Sequence, residues 1–242
     1  MTDDASPKIE PKYWVALCWA SICGLNLGDF FPDQLHLTTA QGLGILGIAF
    51  AALYGLQLIT GRRPGLLFWG AILVVRAAAT LVADFPIDDL HLSYVVVGGA
   101  LALILLGGMA ISGVFRRTAR GDGVVAPGAS LMFWLTMLAA GALGTVAADG
   151  FGHAFSSVKI GVPVAAACET LLLALAFPVR ARANWAPWTY WATVVVISAW
   201  GASVGDIARF LLSLPVSMGL SAAVLALVVV ARWPRGESRA QA

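Results

Sequence analysis

Hydrophobic positions along the chain gather into eight long runs separated by short polar or charged stretches. Each run approaches the roughly 20 apolar residues that a bilayer-spanning helix needs. The pattern predicts odd-numbered helices over 13–30, 66–85, 131–150 and 188–207. Even-numbered helices are predicted over 40–60, 93–115, 158–178 and 211–232. The first run follows an N-terminal flank (MTDDASPKIEPK) that is acidic as well as basic, and it belongs to the repeat described next. It therefore reads as a retained helix rather than a cleaved signal.

The runs are not independent. Trp14, Trp69, Trp134 and Trp191 each follow an aromatic neighbour, and fifteen residues after each stands an aspartate: Asp29, Asp84, Asp149 and Asp206. Carboxylates inside apolar runs are rare, so four at one offset mark an internal repeat. The units are approximately 13–60, 66–115, 131–178 and 188–232. Before each Asp lies a pair of small residues four apart: Gly24 and Gly28, Ala79 and Ala83, Gly144 and Ala148, Gly201 and Gly205. Such pairs let helix backbones approach closely in lipid. Four and eight residues before the acids come Leu25 and Ser21, Thr80 and Arg76, Thr145 and Gly141, Ala202 and Ser198. These share one helix face, small or polar except at Leu25, which should point into the bundle.

Composition narrows the class. Sixty per cent of residues are hydrophobic and 12% charged, about half the charge a soluble domain carries. The expectation is an all-α membrane protein: one transmembrane domain over 1–242, about eight helices in four parallel two-helix repeats, with short tails at 1–12 and 234–242. Charge distribution orients it. Twelve of the fifteen Lys and Arg residues fall on the side of the termini, so the positive-inside rule places both termini on the cytoplasmic side of an inner membrane. Trp14, Trp69, Trp134, Trp185, Trp188, Trp191 and Trp233 cluster on that side, as an interfacial belt would. Fifteen residues put each Asp about 22 Å beyond its Trp, near the outer surface of a core about 30 Å thick.

The outward side carries the candidate chemistry. The first two copies read DFFPDQLHL from Asp29 and DFPIDDLHL from Asp84. Each adds a second acid, Asp33 or Asp88, and a histidine, His36 or His91. The third copy offers His153; the fourth has Arg209 instead, so such a site would be weighted toward the first two copies. Carboxylates with neutral imidazole suit a divalent cation of the Mn²⁺, Fe²⁺ or Zn²⁺ class. An aspartate near a helix C-terminus opposes the helix dipole, so each asks for a partner: a metal, a transported cation, a proton or Arg209. Two further charges, Arg76 and Glu169, lie near the middle of their helices and are expected to form an ion pair or a proton relay. The three cysteines, Cys18, Cys23 and Cys168, show no metal-binding spacing and read as packing residues.

No nucleotide-binding glycine loop, GxSxG or HExxH occurs, and nucleic-acid binding is excluded. The Trp starts with Gly24 to Asp29 and Gly201 to Asp206 resemble a group of bacterial integral-membrane proteins labelled membrane-anchored. The resemblance spans the chain through its repeat and implies a multi-helix bacterial membrane protein, with no activity attached. From the residues, the first expectation is binding or transport of a divalent cation, coupled to protons through Glu169. A non-catalytic scaffold or accessory subunit is the alternative, and a membrane-embedded enzyme using acid–base pairs the third.

Overall fold

Long apolar segments must satisfy their backbone N–H and C=O groups internally, which helices do. The computed structural model describes residue 9 and residues 11–60, 65–111, 130–180 and 187–231, and contains no strand among them. Its helices are α1 (Pro11–Asp33), α2 (Thr39–Thr60), α3 (Gly65–Asp84), α4 (Tyr94–Ile111), α5 (Leu131–His153), α6 (Val158–Arg180), α7 (Pro187–Leu212) and α8 (Leu214–Ala231), with a π-helical turn at Phe85–Asp89 after α3. Seven, α1 to α7, are long and apolar enough to cross a membrane; α8 is shorter. The tails and most of the basic residues used for orientation, including Arg62, Arg116 and Arg235, lie outside the described residues, as do the predicted helix ends at 112–115 and 232.

The odd-numbered helices form a closed inner ring in which α1 meets α3, α3 meets α5, α5 meets α7 and α7 returns to α1. The others clothe it. Each outer helix packs chiefly on the inner helix that follows it: α2 on α3, α4 on α5, α6 on α7, and α8 on α1. The most apolar stretches of α1, α3 and α5 are more than 60% buried, against 28% or less for α2, α4 and α6. The outer helices turn bulky side chains such as Ile48, Leu58, Val95, Leu103 and Leu171 outward.

The small residues make this ring possible, and they do so in rotation. A Cβ added at Gly24 would strike Arg76 of α3, and one at Gly141 would strike Ala79. At Gly144 it would strike Ser198 of α7, and at Gly201, Ser21 of α1. The residue five before each Asp thus packs on the residue eight before the next Asp, all the way round. Gly28 and Gly205 repeat the device one turn later, against Thr80 and Leu25.

The repeat tryptophans depart from expectation. Trp14, Trp69, Trp134 and Trp191 are buried, not a surface belt. They join Tyr13, Phe68 and Tyr190 in one aromatic core at the end of the ring opposite the acids. Consecutive aromatics sit edge to face, as in Phe68–Trp69 (83°) and Tyr190–Trp191 (86°), the arrangement ring quadrupoles favour. Tyr13 and Tyr190 share a 2.6 Å hydroxyl hydrogen bond within it. The reason is the closed ring itself: helix starts drawn together need large side chains to fill the space between them, where a lone span would present them to a lipid interface. Trp188, one turn outside this layer, is exposed.

At the acid end the first two copies close identically. Leu35 N–H donates to Phe30 O and Leu37 N–H to Phe31 O; Leu90 N–H and Leu92 N–H donate to Phe85 O and Pro86 O. A capping box then starts α2: Thr38 N–H donates to Gln41 Oε1 and Gln41 N–H to Thr38 Oγ1. Ser130 caps α5 through Phe133 N–H.

Candidate functional site

Because all four inner helices carry their acid at the same offset and the ring aligns them, Asp29, Asp84, Asp149 and Asp206 meet at one mouth. Their charges act on one another: those of Asp29, Asp149, Asp88 and Asp206 all bear on Asp84, and those of Asp206, Asp29 and Asp88 on Asp149. Each side chain is partly exposed, so the mouth opens to the surroundings.

Arg209 serves half of this cluster. Its Nη1 lies 2.7 Å from Asp29 Oδ2 and 3.4 Å from Asp33 Oδ2, and its Nη2 lies 3.2 Å from Asp206 Oδ1. One turn beyond Asp206 on α7, it reaches across to the end of α1 and supplies the compensating charge expected there. Among the described residues no ion pair or hydrogen bond holds the carboxyl group of Asp84 or Asp149. The acids outside any ion pair are therefore Asp84 and Asp149, of copies two and three, although the Arg209 charge also bears on Asp149. Asp88 stands exposed on the π turn beside them, and the neighbouring Asp89 accepts from Thr39 Oγ1 at 3.2 Å.

The histidines are placed by backbone needs. His36 and His91 adopt left-handed conformations, φ 53° and 55°, and the amide of the next residue closes the helix end behind each. This is the position where a Schellman-type helix end requires positive φ, and histidine tolerates it better than most side chains. Ser213, seven residues after Asp206 as His36 is after Asp29, takes the same conformation at φ 72°. The shared property of that position is its conformation, not an imidazole. His153 Nδ1 sits 2.8 Å from the Asp149 carbonyl and 3.3 Å from the Tyr94 hydroxyl, with its ring stacked on Tyr94. Tyr94 has no counterpart in the other copies, so no repeat signal points to it. Among the described residues no three His, Cys, Asp or Glu side chains are already gathered as ligands for a metal ion.

Below the acids, the face predicted to point inward does so. Ser21, Leu25, Arg76, Thr80, Gly141, Thr145, Ser198 and Ala202, joined by Ala79, line a cavity of ≈ 10 Å³ inside the ring. Arg76 is 4% exposed and donates from Nη2 to Ser21 Oγ at 2.6 Å. The structure does not pair it with Glu169. That side chain lies on outer helix α6, hydrogen-bonded to Ser203 of α7, with Oε2 buried and unpartnered.

Comparison with known protein families, curated proteins and solved structures finds no match. The functional reading therefore rests on these residues alone. Chemically, the mouth offers carboxylate oxygens around an arginine that pairs with those on one side. Such oxygen donors suit hard cations better than soft ones.

Proposed function

We propose that this chain is a polytopic inner-membrane protein of four parallel two-helix repeats, both termini cytoplasmic, that binds a divalent cation at its outward acidic mouth. The observation that carries this reading is the pair Asp84 and Asp149 on adjacent inner helices, neither carboxyl group held in an ion pair, with the Asp88 charge bearing on both. Two such carboxylates side by side call for positive charge, and a divalent ion supplies it in one step. With His153 held by Tyr94 and the Asp149 carbonyl, the mouth itself is chiefly carboxylate, which favours the harder Mn²⁺ within the Mn, Fe and Zn class.

Transport is a further step within this proposal. A cation moving inward along the ring axis would meet the buried guanidinium of Arg76, a like charge in a poorly screening interior. Movement along that axis thus requires the charge of Arg76 to be offset, whereas binding at the mouth does not.

The test is metal content and Mn²⁺ titration of the purified full-length protein. Asp84→Asn with Asp149→Asn should abolish binding, and Arg209→Gln, which releases Asp29, Asp33 and Asp206, should strengthen it. If the unaltered protein binds no divalent ion, the cation reading fails. An exposed acidic mouth would then fit a scaffold whose partner presents basic residues.

A further inference from the structure

We infer that the cavity inside the ring is a binding site for a single small monovalent anion of the halide class, held by Arg76. The inference is independent of the cation reading, since none of the four repeat aspartates lines the cavity.

Arg76 is 96% buried by its 4% exposure, and a guanidinium stays protonated in proteins. It cannot escape burial by becoming neutral, as a lysine can. Among the described residues the titratable groups acting on it are Cys18, Tyr13 and Tyr190, and no carboxylate is among them. On its own helix the nearest acid, Asp84, lies eight residues further on, about 12 Å along the axis. A buried charge without a counter-charge is strongly unfavourable, so one must be brought in.

The geometry says where. Arg76 Nη2 is engaged by Ser21, but Nη1 is buried with no hydrogen-bond partner. Nη1 borders Gly141: a Cβ there would stand 3.0 Å from it, so the absence of a side chain keeps that space open. The hydroxyls around the cavity fall into two kinds. Ser21 and Ser198 are committed to the carbonyls of Leu17 and Val194, at 2.7 Å and 2.6 Å. Thr80 and Thr145 reach their own carbonyls only at 3.5 Å and 3.4 Å, at the limit of a hydrogen bond. Both can turn toward an anion at little cost. Nη1–H with the Thr80 and Thr145 hydroxyls gives a set of donors around a space of ≈ 10 Å³. That space is at the lower limit for one water-sized body, so of anions it admits only a monatomic one, the smallest most readily, and excludes phosphate or sulfate.

The experiment uses the purified full-length protein in nanodiscs, exchanged into gluconate and titrated with chloride, bromide and fluoride. Thermal stability and binding of radioactive chloride are the readouts. The expected result is saturable binding of one halide per chain with a matching rise in melting temperature. Arg76→Gln should abolish it, and Thr145→Val should weaken it about tenfold. Asp84→Asn with Asp149→Asn should leave it in place even where cation binding is lost. Should Arg76→Gln not fold, Thr145→Val decides. Absence of saturable halide binding in the unaltered protein overturns the proposal, because water alone then fills the cavity. So does halide binding that Thr145→Val leaves unchanged.

Discussion

At the scale of single residues, one position in the repeat separates two meanings that look alike in sequence. His36 and His91 follow their aspartates at the same distance inside Leu-His-Leu, which reads equally well as a ligand or as a helix-end residue. Only the backbone distinguishes them: both are left-handed, and Ser213 is left-handed at the equivalent place. The aspartate offset was legible because intramembrane acids are few. The conformational role of the histidines was not, because positive φ leaves no reliable mark outside glycine and asparagine. The prediction follows from the conformation. His36→Asn should keep both stability and Mn²⁺ affinity, since asparagine also accepts positive φ. His36→Val should destabilise by about 1–3 kcal/mol, the usual cost of a strained backbone state, read as a lower denaturation midpoint. Loss of Mn²⁺ binding in a stable His36→Asn protein would restore the histidine as a ligand.

At the scale of helices, the inward stripe was readable and the packing order was not. Residues four and eight before each Asp were singled out by shared polarity, and all eight line the cavity. Nothing in the sequence says that an outer helix packs chiefly on the following inner helix, because that depends on how the ring closes. The tryptophans were misassigned for a related reason: a helix-end Trp faces lipid on a lone span but fills the core once four starts converge. The glycines give this level its test. Gly144 abuts Ser198 and the α7 backbone, whereas nothing lies within 4 Å of a Cβ at Gly99. Gly144→Val should therefore cost about 1–3 kcal/mol or more, as overpacking does. Gly99→Ala should be neutral or stabilising by up to about 1 kcal/mol, since it removes a helical glycine. Comparing the two by thermal unfolding in the same detergent separates ring closure from ordinary helix propensity.

At the scale of the whole molecule, the consequence that matters is which compartment the acidic mouth faces. Hydropathy specifies long apolar helices, and seven satisfy the length and composition of a span. Orientation rests instead on the basic side chains, twelve of fifteen on the side of the termini, and on the energetic preference for keeping them in the cytoplasm. Gln34 lies in the exposed turn just past the acids of α1, and Ser238 lies in the basic C-terminal tail. With the three native cysteines replaced by alanine, Gln34→Cys should react with a membrane-impermeant maleimide in spheroplasts. Ser238→Cys should react only after the membrane is opened. The reverse pattern would put the mouth in the cytoplasm, where Asp84 and Asp149 would draw on the cell's internal cations. Because Arg209 already pairs with Asp29 and Asp206, Asp84 and Asp149 would remain the acids outside any ion pair. The labelling result therefore decides whether a cation bound at this mouth, as proposed, would come from outside or from within.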